Sequence, residues 1–105
     1  FMHHPPVLVG MPFMDTNWPF RRSEDLMKVL NRHPEPVYVF CGHCHTERVI
    51  HVGNVHVHIT PSLYFQLSPE TAEPVIEHTR IALRVIDFQE DRLFTAVQYF
   101  DENSL

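Results

Sequence analysis

The sequence contains little cysteine and no long apolar run, and each shortage narrows the range of functions. The two cysteines, Cys41 and Cys44, lie too close together to close a long loop. A disulfide framework is therefore not expected, and the reducing cytoplasm is the predicted compartment. No apolar run approaches the ~20 residues that a membrane-spanning helix needs, so we expect a soluble protein without a membrane partner.

Basic residues are also few. Eight lysines and arginines stand against thirteen aspartates and glutamates, which gives a formal net charge of -5. Binding to a nucleic-acid backbone takes clustered lysine and arginine side chains that neutralise phosphates. We therefore expect no nucleic-acid partner, and any affinity for anions must come from another source.

Histidine is the abundant residue, with nine in a chain of 105 residues. Imidazole is the commonest protein ligand for zinc, iron, manganese and copper when several side chains converge. A chain of this length fits one domain, which buries roughly 60 to 70% of its unfolded surface. A single small domain with a metal site is the first hypothesis.

Local patterns predict one helix followed by mostly antiparallel strands. Residues 1–6 are expected to be extended and to stop at a pair of prolines, and residues 7–22 to form a long ordered loop. A helix begins with Ser23 as its N-cap, and Pro34 stops it. Gly53-Asn54 is typical of a hairpin turn. The predicted strands are 37–40, 48–51, 55–60, 81–88 and 93–100, with an irregular stretch at 61–79.

Two histidine motifs lie where predicted extended segments end. His3-His4-Pro5 closes the first segment, and Gly42-His43-Cys44-His45 follows the strand at 37–40. Ligands gather at the carboxyl ends of strands in α/β proteins, and a helical crossover would set these two ends side by side, so that three histidines could converge. If His43 and His45 are extended, their side chains lie roughly 6 to 7 Å apart. That spacing suits two metal ions about 3.5 to 4 Å apart, with one histidine for each.

The two motifs also carry a family resemblance. The stretches "MHHPP" and "CGHCH" resemble the fourth and fifth motifs of the calcineurin-like metallophosphoesterases. The stretch from Thr60-Pro61-Ser62 to Gln66-Leu67-Ser68-Pro69 is similar to class III cyclic nucleotide phosphodiesterases. The likeness covers nearly the whole chain. It implies an α/β fold, the C-terminal half of a layered β-sandwich flanked by helices, with mostly antiparallel strands in this part.

The resemblance implies a site and a reaction as well. His3 and His43 would ligate one metal, and His45 would ligate the other. His4 would be a neighbour of the site. Two divalent or trivalent ions are implied, manganese or iron first and zinc or cobalt next. The implied reaction is hydrolysis of a phosphodiester by a metal-bridging hydroxide, with a 3',5'-cyclic nucleotide such as cyclic AMP as the favoured substrate; related enzymes also act on glycerophosphodiesters and phosphomonoesters.

The chain departs from the family pattern in one respect. The N-terminal motifs of the family, which bring an Asp-x-His, a bridging aspartate and an Asn-His pair, are absent from these 105 residues. Residues 1–105 are therefore interpreted as the C-terminal portion of a single domain whose N-terminal half is missing, and this portion alone is expected to be inactive. A half-sheet leaves an unpaired edge and an apolar face, which predicts dimerisation, swapping or contact with a partner segment, with a homo-oligomer favoured.

Other interpretations of the same residues stay open. The stretch from Cys41 to His45 matches the C-x-x-C-H pattern of c-type haem attachment, although a strand precedes it. A thioredoxin-like cysteine pair would need a following helix, which is not predicted, and simple packing of both cysteines is favoured. The chain could also be a metal-binding or assembly module without catalysis.

Several residues near the motifs have competing roles. Asp15 and Asn17 could line a substrate mouth, but a solvated turn is favoured. A nucleobase could stack on aromatic residues, although core packing is favoured for all four candidates: Phe13, Trp18, Tyr64 and Phe65. The remaining histidines are assigned to hairpins or to the surface: His33, His51, His56, His58 and His78.

Overall fold

The computed structural model describes residues 1–101 as two helices and three small sheets. The elements are α1 (Pro12–Asn17), α2 (Ser23–Asn31), β1 (Val37–Cys41), β2 (Arg48–Val52), β3 (Val55–Ile59), β4 (Gln66–Leu67), β5 (Ile76–His78), β6 (Ile81–Gln89) and β7 (Arg92–Phe100). The sheets have the orders β1-β3-β2, β4-β5 and β6-β7, and β1 with β3 is the parallel pair among these otherwise antiparallel strands. The predicted α/β class with mostly antiparallel strands is confirmed. Neither helix in residues 1–101 is long and apolar enough to cross a membrane.

The core lies on one face of the three-stranded sheet. Strand β3 alternates strictly, with Val55, Val57 and Ile59 fully buried and the two histidines between them half-buried. β-branched residues fit such a pleated surface, and fully burying each side chain contributes about 1.5–3 kcal/mol. Met27 of α2 and Met11 belong to the same buried cluster. The apolar face predicted for this hairpin therefore packs against the helical side of the molecule.

A glycine fixes the turn between β2 and β3. Gly53 has φ +59°, a left-handed conformation that other residues rarely adopt. A Cβ atom at this position would collide with the Asn31 side chain, whose Oδ1 accepts the N–H of Asn54 at 2.7 Å. The turn thereby ties the hairpin to the end of α2, and the Gly53-Asn54 hairpin prediction is confirmed.

Short elements lie where the sequence predicts loops. Helix α1 falls within residues 7–22, with Pro12 at its start, where a missing N–H costs little. Strands β4 and β5 fall within 61–79 and have two and three residues. Both loop predictions are wrong at these positions, because elements this short leave no periodic pattern. The N-cap prediction is also wrong, since Arg22 at φ 59° precedes α2 and Ser23 is its first helical residue.

The N-terminal segment runs beside the end of β1. The Met2 N–H donates to the Phe40 carbonyl at 3.0 Å, and the Gly42 N–H donates to the His3 carbonyl at 3.1 Å. The paired residue numbers rise together, so the two segments run in the same direction. The prediction that the two motif-bearing ends lie side by side is confirmed.

The β6–β7 hairpin is a second layer that Arg84 attaches to the main sheet. The guanidinium donates to the Thr60 hydroxyl at 2.9 Å and to the Ile59 carbonyl at 3.3 Å. Its central carbon lies 5.9 Å from the centre of the Phe40 ring. Beyond Arg84, the hairpin and the sheet border an open apolar cleft that includes Phe40 and Ile86. The arrangement is consistent with part of a layered sandwich.

Candidate metal centre

The loop after β1 carries the Gly-His-Cys-His motif in a sharply bent conformation. His43 has φ +68° and His45 has φ +54°, the left-handed region that non-glycine residues rarely adopt. Cys44 between them donates its N–H to the Gly42 carbonyl at 2.7 Å, which closes a tight turn. The prediction that both histidines are extended is therefore wrong, and the spacing that was derived from an extended backbone does not apply. Strained backbone costs of order 1–3 kcal/mol per residue and concentrates at functional sites.

The two cysteines anchor this loop in the core. Cys44 is 1% exposed and Cys41 is 5% exposed, and both are free thiols. Burial raises the pKa of Cys44 to about 12 and the pKa of Cys41 to about 11, so both thiols stay protonated at neutral pH. The next regular element is strand β2, not the helix that a haem or thioredoxin motif requires. Simple packing of both cysteines is confirmed.

Three histidines converge at the end of β1. His3, His4 and His43 each offer a ring nitrogen within 4.8 Å of the others. Nδ1 of His43 lies 3.2 Å from Nε2 of His3, and the ring centres of His4 and His43 are 3.9 Å apart. The buried prolines Pro5 and Pro6 follow directly and restrict the backbone. At this distance either one ring donates an N–H to the other or both nitrogens ligate one cation, because two facing lone pairs repel each other.

His43 holds a buried nitrogen, Nε2, that has no hydrogen-bond partner. A buried polar atom without a partner costs about 1–3 kcal/mol. Burial first, and the neighbouring histidines second, lower the pKa of His43 from 6.5 to about 4. The imidazole is therefore neutral at pH 7, which is the form that ligates metals. The donor set around His43 thus fits a divalent transition-metal ion.

His45 lies outside this group but is oriented in the way of a metal ligand. Its Nδ1 lies 2.8 Å from the Phe65 carbonyl, and since a carbonyl only accepts, Nδ1 carries the proton and donates it. Nε2 is then the nitrogen with the lone pair. Metal-ligating histidines commonly donate their other N–H in this way. The Leu67 N–H donates to the His45 carbonyl at 2.8 Å and holds its backbone in place.

The structure therefore brings together His3 and His43, two of the three predicted ligands, and adds His4 to their group. His4 directly follows His3, so their adjacency in the motif is the signal that points to it. Asp15, by contrast, accepts two backbone N–H groups of the preceding turn at 2.8 and 2.9 Å. Asn17 donates to the Phe13 carbonyl at 2.9 Å. Both side chains serve local turns, which agrees with the favoured interpretation.

The four aromatic residues near the motifs separate into two kinds. Phe13 and Phe65 pack against the core, as favoured. Trp18 and Tyr64 are 54% and 75% exposed, so core packing is wrong for them. The Trp18 ring stands edge-on to the His43 ring at 6.0 Å. Two aromatic side chains thus reach solvent close to the motif loop.

The hairpin histidines form a separate surface on β2 and β3. The rings of His51 and His56 meet edge-on at 4.4 Å, and His58 stacks on Phe40 at 5.2 Å. Burial first, and then the charge of Arg84, lowers the pKa of His58. In the part of the chain that the structure describes, these rings do not form a second group of three converging ligand atoms. Their assignment to the hairpin stands.

Comparison with known proteins points to one class by name, the cyclic nucleotide phosphodiesterases. A probable cyclic nucleotide phosphodiesterase of Fibrobacter succinogenes is 28% identical over 99 residues, which are 94% of this chain and 39% of that protein. A 3',5'-cyclic-nucleotide phosphodiesterase of Nostoc is 28% identical over 94 residues, 90% of this chain and 35% of that protein. A 3',5'-cyclic adenosine monophosphate phosphodiesterase of Vibrio vulnificus is 32% identical over 71 residues, 67% of this chain and 25% of that protein. No family model matches the chain, which spans between 25% and 39% of the length of these relatives.

Proposed function

We propose that the chain is the histidine-bearing part of a metal-dependent phosphodiesterase that hydrolyses a 3',5'-cyclic nucleotide. The observation that carries the proposal is the His3–His43 pair, in which Nε2 of His3 lies 3.2 Å from Nδ1 of His43. The names of the relatives support the substrate class. Metal ions would also explain how a chain with a net charge of -5 acts on an anion, because they are the largest positive charges in such a site.

The proposed centre holds two metal ions, in the manner of the calcineurin-like metallophosphoesterases. His3 and His43 would ligate one ion, and Nε2 of His45 would ligate the other. His4 would pack beside His43 without ligating. Manganese and iron are proposed first and zinc or cobalt next, since imidazole ligates all four. When bound, such ions neutralise charge on phosphoryl oxygens and lower the pKa of a coordinated water.

The contribution of this chain is to hold neutral imidazoles in fixed directions. The lowered pKa of His43, about 4, keeps its ring free of a competing proton at neutral pH. The Phe65 carbonyl fixes the tautomer and the direction of His45. Buried Cys44 anchors the backbone between the two histidines. Both rings are thereby oriented before any ligand arrives, which is the preorganisation that a catalytic centre requires.

Acidic ligands would come from outside these 105 residues. Within residues 1–101, no aspartate or glutamate joins the histidine group, whereas the family resemblance requires a bridging aspartate. The longer chains of the relatives leave room for a segment that supplies it. The isolated chain is therefore proposed to be inactive.

Exposed apolar residues of β6 and β7, such as Phe88 and Phe94, are proposed to lie in a homo-oligomeric interface.

A second candidate is a metal-binding or assembly module without catalysis. The observation that favours it is again the lack of a carboxylate in the histidine group within residues 1–101. Such a module would bind a transition-metal ion through the same imidazoles. It would not turn over any phosphodiester.

The test is hydrolysis of 3',5'-cyclic AMP by the full-length native protein, with manganese and after chelation. We expect turnover that needs the metal and that falls by at least ~100-fold in His43→Ala, since even outer-shell changes at metal sites cost about 10–100-fold. The matched control, His56→Ala, should keep its activity. Metal binding without turnover of cyclic AMP, a glycerophosphodiester or a phosphomonoester would favour the non-catalytic module.

A further inference from the structure

The loop of residues 62–66 is held rigidly by its own hydrogen bonds. Gln66 is 2% exposed, and its Oε1 accepts the Ser62 N–H at 2.8 Å. Its Nε2 donates to the carbonyls of Ser62 and Arg80 at 2.7 and 3.0 Å. The Tyr64 N–H donates to the Ser62 hydroxyl at 2.9 Å. A buried amide with these partners fixes the loop conformation, because breaking it would leave polar atoms unpaired in the interior.

The tip of this rigid loop presents large apolar side chains to solvent. Tyr64 is 75% exposed and Leu63 is 71% exposed. An ordered side chain kept in water forgoes about 25 cal/mol for each Å² of apolar surface that packing would bury. Aromatic rings with few rotatable bonds lose little entropy on binding and supply large contact area. The loop tip therefore has the properties of a contact surface.

Tyr64 lies one ring away from a proposed metal ligand. Its ring meets the Phe65 ring edge-on at 5.1 Å, and the Phe65 ring lies 4.5 Å from the His45 ring. The Phe65 carbonyl accepts the hydrogen bond from His45 at 2.8 Å. One short segment thus orients a histidine with its backbone and carries an exposed tyrosine whose ring contacts the Phe65 ring.

We infer that Tyr64 binds the nucleobase of the substrate, an inference that rests on the proposed phosphodiesterase function. A cyclic nucleotide is a small, stiff molecule, so a phosphate held at the histidines keeps its base within reach of the adjoining loop. The base stacks on the Tyr64 ring. Stacking of this kind accepts any base, because every base has a π-face. The site therefore separates cyclic phosphates with a base from those without one, and it does not separate adenine from guanine.

The experiment compares two substrates in the full-length native protein with manganese: 3',5'-cyclic AMP, and ribose 3',5'-cyclic phosphate that carries no base. Tyr64→Ala is expected to raise KM for cyclic AMP by about tenfold or more with little change in kcat, which is the scale of one base stack. The baseless substrate should be unaffected. Tyr64→Phe keeps the π-face and should stay within about twofold of wild type. Tyr64→Leu keeps apolar bulk without the π-face and should behave like Tyr64→Ala.

A matched control is Tyr38→Ala, a 40% exposed tyrosine near the opposite end of β1 from the histidine motif. It should leave the preference for cyclic AMP over the baseless substrate unchanged. If wild type hydrolyses cyclic AMP and both Tyr64→Ala and Tyr64→Leu keep the wild-type preference, the role of Tyr64 is overturned and the proposed function survives. If wild type hydrolyses neither substrate, both are overturned together.

Discussion

His43 and His58 share an unpaired, buried ring nitrogen but lie in different surroundings. His43 and His58 each bury a ring nitrogen without a partner, and burial is the main cause that lowers the pKa of each. Around His43, two more imidazoles bring ring nitrogens within 4.8 Å. Around His58, the largest charge effect on the pKa comes from the guanidinium of Arg84, and the ring stacks on Phe40. Where other neutral imidazoles converge, a buried imidazole nitrogen favours the binding of a metal cation. Beside a guanidinium, the same unpaired nitrogen only lowers the stability of the fold.

The largest expected difference between the two regions is catalytic. Because His43 is a proposed ligand, His43→Ala should lower kcat/KM on cyclic AMP by at least ~100-fold. His58→Phe keeps the ring stacked on Phe40 and removes the unpaired nitrogen, so kcat/KM should stay within about threefold of wild type. Steady-state kinetics of the full-length native protein with manganese give both values. Equal losses in the two variants would mean that the two histidines do not differ in function.

The second prediction concerns the cation beside His58. Arg84→Met removes hydrogen bonds to Thr60 and Ile59, so the free energy of unfolding should fall by about 1–3 kcal/mol. The pKa of His58 should rise toward its ordinary value, because the charge that helps to lower it is gone. Urea unfolding and an NMR titration measure the two effects. Arg92→Met, exposed at the far end of the hairpin, is the control and should change the free energy of unfolding by less than ~0.5 kcal/mol.

The third prediction is a pH dependence of stability in the metal-free protein. The pKa of His43 in the folded state is lowered from 6.5 to about 4, and the pKa of His58 is lowered as well. Between these values the unfolded chain binds more protons than the folded chain, so the free energy of unfolding falls as pH drops from 6.5 to about 4. Urea midpoints across this range should decline, and His58→Phe should make the decline shallower. An unchanged slope in that variant would argue against the burial of the His58 ring.

The smallest effect on metal binding is expected at His4, and it tests whether this residue is a ligand or only a neighbour of the site. If His4 is a neighbour, His4→Ala should lower metal affinity by no more than about tenfold and leave the number of bound ions unchanged. Titration of the apo protein with manganese measures both quantities. Loss of one ion from His4→Ala would instead make it a ligand, as its place in the converging group allows.

Much of the fold could be predicted because its longer elements carry strong local patterns. Helix α2 shows the 3.6-residue period, and strand β3 alternates between buried valine or isoleucine and half-buried histidine. The approach of His3 to His43 followed from a general rule about strand ends. These features depend on the spacing of apolar residues along the chain and on general rules of β-sheet topology, and both can be applied to a sequence alone.

What the sequence did not predict depends on contacts between distant residues. The left-handed conformation of His43 and His45 is held by the burial of Cys44 between them and by the Leu67 N–H, which donates to the His45 carbonyl. The loop that carries the exposed Tyr64 is fixed by the hydrogen bonds of the buried Gln66, and the sequence does not distinguish this glutamine from a surface residue. Strands β4 and β5 are too short to show a period.

The proposed metal centre is tested most directly by the metal content of the full-length native protein and its histidine variants, measured by mass spectrometry of the metals after gel filtration. We expect about two ions per chain in wild type and fewer in His3→Ala, His43→Ala and His45→Ala. His56→Ala, from the hairpin surface, should match wild type. Unchanged metal content in all three motif variants would contradict the proposed centre.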